Sequence, residues 1–193
     1  WLAGLNIKYF LYSFLTILIS LPFIISFLKP YQKLRILTFL NPDRDPLGAG
    51  YQIIQSKIAV GSGGFFGKGF LKGTQSYLEF LPEKHTDFIF TLFAEEHGFL
   101  GSLFLLLIYM IVIYRVIRIG SVSRSYFAKL YCYGYGSAIF FYVTVNMSMV
   151  LGLLPIVGSP LPIMSYGGSS MLATMIGFAI VMSAKINHKQ SIA

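Results

Sequence analysis

The sequence predicts an all-α, polytopic membrane protein with four transmembrane helices and one large external loop. Hydrophobic residues make up 55% of the 193 residues and charged residues only 11%. The mean hydropathy is +0.70, which lies outside the range of ordinary soluble domains. Several apolar runs reach the length of about 20 residues that a helix needs to cross a bilayer. Lysine and arginine residues flank these runs, as they do at membrane boundaries.

Each apolar run is bounded by charged or turn-forming residues. The first span is expected at residues 9–28, which carry no charge and contain Pro22 as the source of a kink. Because the chain begins at Trp1 rather than Met, we expect it to be the C-terminal portion of a longer protein. We treat residues 1–193 as a single membrane domain. Its other predicted parts are an external loop at 29–86, spans at 87–118, 126–153 and 163–184, and a cytoplasmic tail at 185–193.

The external loop is too long to be a passive turn, and loops of this length are usually structured or functional. Within it, Tyr51, Ile54 and Ile58 recur at helical spacing opposite polar residues. This pattern predicts a short amphipathic helix at residues 51–60, lying in the membrane interface.

A glycine-rich run, GSGGFFGKGFLKG, follows at residues 61–73. It matches neither the nucleotide-binding nor the dinucleotide-binding glycine pattern. One interpretation is a flexible loop beside lipid. The other is an anion site in which Lys68, Lys72 and backbone N–H groups hold a pyrophosphate.

The charge distribution predicts the orientation. Short loops that carry lysine and arginine stay in the cytoplasm, which applies to the loop around Arg118 and Arg124 and to the basic tail. The external loop and the Pro-rich loop at residues 154–162 then lie outside. The formal net charge of +8 is thus attributed to topology and anionic lipids, and no nucleic-acid partner is expected.

Five of the seven acidic residues lie between residues 78 and 101: Glu79, Glu83, Asp87, Glu95 and Glu96. A carboxylate at a membrane boundary is a functional candidate by default. Asp87 is a candidate general base, while the alternative is that Asp87 or Thr86 caps the helix that follows. A pair of these carboxylates, such as Asp87 and Glu79, could instead join His85 in holding a divalent cation such as magnesium, calcium or manganese. Glu95 and Glu96 are expected to face other helices or a polar cavity.

A second candidate segment precedes the last span. Residues 165–170, SYGGSS, combine hydroxyls with small residues. Ser165 is a candidate helix cap. The alternative is that Ser165, Tyr166, Gly167, Gly168 and Ser169 line the outer side of the cavity that Asp87 faces.

Four motifs resemble the SEDS family of bacterial envelope proteins, and they are closer to its rod-shape branch than to its division branch. They are NPDRDPLGAGYQIIQSKIAVGSGG (41–64), GTQSYLEFLPEKHTDFIF (73–90), AEEHG (94–98) and LPIVGSPLPIMSYGGSS (154–170). The chain departs from the family pattern at His97, where the family more often has leucine.

The resemblance implies a ten-span fold, of which this chain would supply the last four spans. It also implies a peptidoglycan glycosyltransferase that polymerises lipid II on the outer face of the bacterial cytoplasmic membrane, during elongation and the maintenance of cell shape. The family's catalytic aspartate corresponds to Asp87, and a further functional glutamate corresponds to Glu79. The implied partners are lipid II, the undecaprenyl-pyrophosphate-linked glycan, a class B penicillin-binding protein and other membrane proteins of the elongation complex.

Two other functions remain open at the level of sequence. A transporter or flippase of lipid-linked precursors would use kinked helices and intramembrane carboxylates as its path. A non-catalytic scaffold would only dock a partner synthase. Because the acidic cluster lies at the membrane edge rather than at mid-span, surface chemistry is favoured over transport.

Overall fold

A computed structural model describes residues 6–41, 48–73 and 85–188. These ranges form six helices and contain no strand, in agreement with the predicted all-α class. The helices are α1 (Ile7–Phe27), α2 (Pro30–Leu40), α3 (Ala49–Gly63), α4 (Ile89–Val122), α5 (Tyr126–Val150) and α6 (Gly168–Ile186).

The apolar surface of the helices is typical of a membrane protein. Helices α4 and α6 are long and apolar enough to cross a bilayer, and only 11% of the most apolar stretch of each is buried. A core helix of a soluble protein would bury most of such a stretch. The apolar side chains described in α1, among them Phe10, Phe14 and Ile17, are exposed as well. The chain is therefore a membrane protein, whereas the number of four spans stays a prediction.

The segment between α1 and α4 contains two helices rather than one. Helix α3 includes the predicted amphipathic residues 51–60 and extends beyond them on both sides. Helix α2 was not predicted, although Pro30 occupies a first helical position, where a missing N–H is harmless. Arg35 of α2 donates from Nη1 to the carbonyl oxygen of Ile156 at 3.0 Å. This bond attaches α2 to the Pro-rich loop.

Helix α5 ends three residues before the predicted end of its span, at Val150. Gly152 adopts φ 68°, the left-handed conformation that commonly follows a helix and suits glycine. The N–H of Leu153 donates back to the carbonyl of Ser148 at 2.8 Å. The chain then leaves α5 in the non-helical loop that leads to the site.

The core lies where α4 begins and α5 ends. Helix α4 packs against α3 and α5, and α6 contacts both α4 and α5. Phe88, Met149, Val150 and Leu161 are completely or almost completely buried at this end of the bundle. Burial of large apolar side chains is the main stabilising term in such a core, so the turn before α4 and the Pro-rich loop are held together by packing.

Two backbone hydrogen bonds show how the helices are directed. The N–H of Tyr166 donates to the carbonyl of His85 at 2.9 Å, which joins the segments that precede α6 and α4. At the other end, the N–H of Arg124 donates to the carbonyl of His188 at 3.1 Å. The beginnings of α4 and α6 therefore share one end of the molecule and their ends share the other, as the predicted topology requires.

Candidate active site

The turn at residues 85–88, directly before α4, is bound by the segment that precedes α6. Besides the bond from Tyr166 to the carbonyl of His85, the hydroxyl of Ser165 donates to the carbonyl of Thr86 at 2.6 Å. The same hydroxyl accepts the N–H of Leu161 at 2.7 Å. Ser165 is buried, and its one hydroxyl joins the turn to the Pro-rich loop.

The carbonyl of Asp87, the next in the turn, is bound by a different helix. Asn146 of α5 donates from Nδ2 to this oxygen at 2.8 Å and to the carbonyl of Ser159 at 2.6 Å. The carboxylate of Asp87 points to the same loop, since a Cβ built on Gly158 would lie 3.2 Å from its Oδ2. Three consecutive carbonyls, at residues 85, 86 and 87, thus accept hydrogen bonds from other parts of the chain.

Both predictions of a helix cap at these positions are wrong. The N-cap position of α4 is Phe88, without a hydrogen bond from its side chain, rather than Thr86 or Asp87. The N-cap position of α6 is Gly167, so Ser165 does not cap this helix. The physical reason is the same in both places: the polar groups before each helix contribute to the contact between the two segments.

An open cavity of about 620 Å³ lies between these segments. It includes five of the predicted supporting residues together with three neighbours. Its walls are formed by His85, Ile89, Met164, Ser165, Tyr166, Gly167, Gly168 and Met171.

The edges of this cavity combine acidic, aromatic and amide groups. Asp87 is half-buried and lies between two wall residues, His85 and Ile89, in sequence, although the wall itself does not include it. Tyr166 is 81% exposed. Gly167 and Gly168 begin α6, whose N-terminus has no side-chain cap. The leading N–H groups of a helix lack partners within it and favour an anion.

The structure does not bring all predicted site residues to this cavity. Ser169 is exposed in the first turn of α6 and is not part of the wall. Lys68 and Lys72 are not part of the cavity wall either, and Lys68 is paired with Glu95 of α4. Glu79 and Glu83 fall in residues 74–84, outside the described ranges.

The glycine-rich segment, defined here as residues 63–69, is docked against a break in α4. Gly98 in α4 has φ 66° and ψ −162°, which interrupts the helical hydrogen bonds. On one side of the break, the N–H groups of Lys68 and Gly69 donate to the carbonyls of Glu95 and Glu96 at 3.1 and 3.0 Å. On the other side, two α4 amides donate back to the segment: Phe99 to Gly64 at 2.9 Å and Leu100 to Phe65 at 3.2 Å.

Close approach explains the glycines in this segment. A Cβ on Gly67 would overlap the carbonyl oxygen of Glu96, and a Cβ on Gly98 would overlap the backbone nitrogen of Gly67. Both glycines also have positive φ, which disfavours other residues. Residues 63–69 are therefore docked rather than flexible, so this part of the loop interpretation is wrong, whereas contact with lipid stays a prediction.

A buried ion pair accompanies this docking. Lys68 Nζ lies 2.8 Å from Glu95 Oε1, and the side chain of Glu95 is 0% exposed while that of Lys68 is 26% exposed. Ser62 adds a longer hydrogen bond of 3.5 Å to the same carboxylate oxygen. Glu96 accepts the N–H of Leu71 at 3.2 Å. Both glutamates thus bind the chain's own backbone or side chains, and the pyrophosphate role of Lys68 and Lys72 stays a prediction.

A second, strongly apolar groove of about 540 Å³ runs between α3, α4 and α5. Phe90, Phe99, Leu103, Met110 and Phe140 are among its wall residues. The groove contains few polar groups and none of the predicted site residues, so it offers apolar contact rather than chemistry.

A divalent cation also stays a prediction. Within residues 6–41, 48–73 and 85–188, no three His, Cys, Asp or Glu side chains cluster as metal ligands. Of the predicted ligands, Glu79 lies outside these ranges.

Comparisons with known proteins cover almost the whole chain. The family model described as cell cycle protein, which represents FtsW, RodA and SpoVE, matches residues 1–190. The peptidoglycan glycosyltransferase MrdB of Escherichia coli K12 is 48% identical over 190 residues, or 98% of this chain and 51% of that protein. The peptidoglycan glycosyltransferase RodA of Treponema pallidum is 45% identical over 163 residues, or 84% of this chain and 37% of that protein.

A solved structure is similar as well. It concerns the structural coordination of polymerization and crosslinking by a peptidoglycan synthase complex, and one of its chains matches with a TM-score of 0.74 and 34% identity. The match covers 95% of this chain and 50% of that chain. The chain thus spans about half the length of the proteins it resembles. The resemblance found in the sequence motifs is confirmed.

The Lys68–Glu95 pair leads to a prediction about stability. Lys68→Met should lower the free energy of unfolding by about 3 kcal/mol, because it removes a cation that lies 2.8 Å from a fully buried carboxylate. Adding Glu95→Leu should recover much of this loss, because apolar replacement of a whole buried pair is often neutral. Thermal unfolding in detergent measures both effects, with Lys72→Met as the matched control. If Lys68→Met unfolds at the wild-type temperature, the pair does not hold the segment.

Proposed function

The chain belongs to the FtsW/RodA/SpoVE family, and on this premise we propose that it acts in the polymerisation of lipid II into peptidoglycan glycan strands. The two relatives described above, which are 48% and 45% identical to this chain, are peptidoglycan glycosyltransferases. The observation that carries the proposal for this chain is the fixed acidic turn: Asp87 is half-buried, lies in sequence between two residues of the cavity wall, and is held through its own carbonyl.

The proposed reaction transfers a glycan from a lipid pyrophosphate to a sugar hydroxyl. The hydroxyl oxygen of the acceptor attacks the anomeric carbon of the donor, and its proton passes to the carboxylate of Asp87 as general base. The bond from the anomeric carbon to the pyrophosphate oxygen breaks, and the lipid pyrophosphate leaves with the electron pair. One base suffices for direct displacement, which inverts the anomeric configuration.

The cavity contains groups suited to such a substrate. The exposed ring of Tyr166 offers a flat surface and a hydroxyl to a sugar. The uncapped N-terminus of α6 at Gly167 and Gly168 favours the negative charge of a pyrophosphate. His85 is exposed at the opposite wall and adds a side chain that can donate hydrogen bonds to phosphate oxygens.

The partner that we propose is a class B penicillin-binding protein, which crosslinks the glycan, together with other membrane proteins of the elongation complex. The support is the similarity to a chain of a synthase complex in which polymerization and crosslinking are coordinated. The chain would receive lipid II and pass on an undecaprenyl-pyrophosphate-linked glycan.

We further propose that the cavity faces the outside of the bacterial cytoplasmic membrane. The basic loop at Arg124 and the end of α6 at His188 touch each other, and positively charged short segments stay in the cytoplasm. The cavity lies at the opposite end of α4 and α6 and would therefore be external.

The central prediction of this proposal concerns Asp87. In the intact natural protein, Asp87→Asn should lower the rate of glycan polymerisation by about two to four orders of magnitude, the usual loss when a general base is removed. Electrophoresis of the glycan made from purified lipid II measures the rate. Glu96→Gln is the matched acid-to-amide control and should remain active. Wild-type polymerisation by Asp87→Asn would show that Asp87 is not the base.

The orientation is tested separately by thiol labelling. In a Cys132→Ser background, Lys72→Cys should react with an impermeant thiol reagent in intact spheroplasts, because Lys72 is exposed on the segment predicted to be outside. Arg124→Cys should react only after permeabilisation. Labelling of position 124 alone in intact spheroplasts would invert the topology and place the cavity in the cytoplasm.

A further inference from the structure

Asn146 is a buried polar residue near the C-terminal end of the apolar helix α5. Its side chain is 0% exposed, and burying a polar side chain costs free energy unless it is hydrogen-bonded. Its nitrogen Nδ2 binds two carbonyl oxygens, those of Asp87 at 2.8 Å and Ser159 at 2.6 Å. Its oxygen Oδ1 has no hydrogen-bond partner among the described residues.

This pattern specifies asparagine chemically. A side-chain amide has two N–H donors on one nitrogen, and both are used here. An aspartate of the same shape would turn a carboxylate toward two carbonyl oxygens, and a serine would supply a single donor. Because Oδ1 has no partner among the described residues, it is the two donors that orient the amide there. The two carbonyls are thus the reason for an amide at this position.

The two carbonyls belong to the two segments that define the surroundings of Asp87. One is the carbonyl of Asp87 itself. The other is that of Ser159, which follows Gly158, the residue that the Asp87 carboxylate approaches. Gly158 has φ 75°, so this part of the loop is in a conformation that few other residues adopt. Asn146 therefore sets the position of the carboxylate relative to the loop in front of it.

We infer that Asn146 is a positioning residue for Asp87, which fixes the carboxylate in the geometry that proton abstraction requires. The inference rests on the function proposed above. Asn146 is not part of the cavity wall and would act on the reaction only through the backbone of Asp87 and the loop. A base must lie within hydrogen-bond reach of the proton that it removes, and small displacements of catalytic groups have large effects on the rate.

The test compares the steady-state kinetics of variants of the intact natural protein with purified lipid II. Each rate is divided by the amount of folded protein in the monodisperse fraction. Asn146→Ala should lower kcat about 100-fold, as expected for a displacement of roughly 1 Å. KM should stay within about twofold of the wild type, because substrate binding is untouched. Asn187→Ala is the matched control: Asn187 is exposed at the end of α6, and its side-chain amide donates to the carbonyl of Ser183 at 3.2 Å.

A purely structural role would lower the yield or the melting temperature and leave kcat per folded molecule unchanged. Asn146→Ser, which restores one donor, should show an intermediate kcat with unchanged KM, and it decides the question if Asn146→Ala does not fold. Wild-type kcat in the folded variants, or a raised KM with wild-type kcat, would overturn the inference.

Asp87→Asn, measured in parallel, separates a failure of the positioning role of Asn146 from a failure of the proposed base. If Asp87→Asn is inactive and the Asn146 variants keep the wild-type kcat, positioning by Asn146 is wrong while the proposed function stands. If Asp87→Asn itself keeps the wild-type kcat, both the base and its positioning residue are wrong.

Discussion

The pairing of backbone polar groups away from water is the constraint on which this structure depends. An unpaired buried carbonyl or N–H is costly, and within lipid the chain itself has to supply the partner. At the break in α4, the glycine-rich segment supplies it by accepting from Phe99 and Leu100 and donating to Glu95 and Glu96. At the turn before α4, the carbonyls of residues 85–87 are paired by Tyr166, Ser165 and Asn146. The pairing of backbone groups thus fixes both the glycine-rich segment against α4 and the turn that carries the candidate base.

This constraint also bears on the choice between catalysis and transport. Broken helices and intramembrane carboxylates mark the substrate path in many transporters, and α4 has both features at Gly98 and Glu95. Here, however, the chain fills the break with its own segment, and the carboxylate of Glu95 is bound by Lys68. The open cavity with polar groups lies instead at the end of the helices. The arrangement favours chemistry at the membrane surface.

Local patterns predicted part of this structure correctly. Apolar run lengths gave the all-α membrane class, helical spacing gave α3, and the unusual concentration of carboxylates singled out the turn at Asp87. Local patterns did not reveal α2, the break at Gly98, the Lys68–Glu95 pair or the role of Asn146. Each of the last three depends on contacts between residues far apart in the chain. Spacing along one helix cannot reveal them, although a lone asparagine in an apolar run is a signal that a partner exists.

Whether the substrate occupies the cavity before α6 is tested most directly by photocrosslinking. A benzophenone amino acid is placed at position 166, in the cavity wall, or at position 126 as control, where Tyr126 is likewise an exposed tyrosine but lies at the opposite end of the bundle. With purified lipid II, the account predicts an adduct at position 166 that excess unlabelled lipid II removes, and none at position 126. An adduct at position 126 alone, or one at position 166 that lipid II does not compete away, would contradict it.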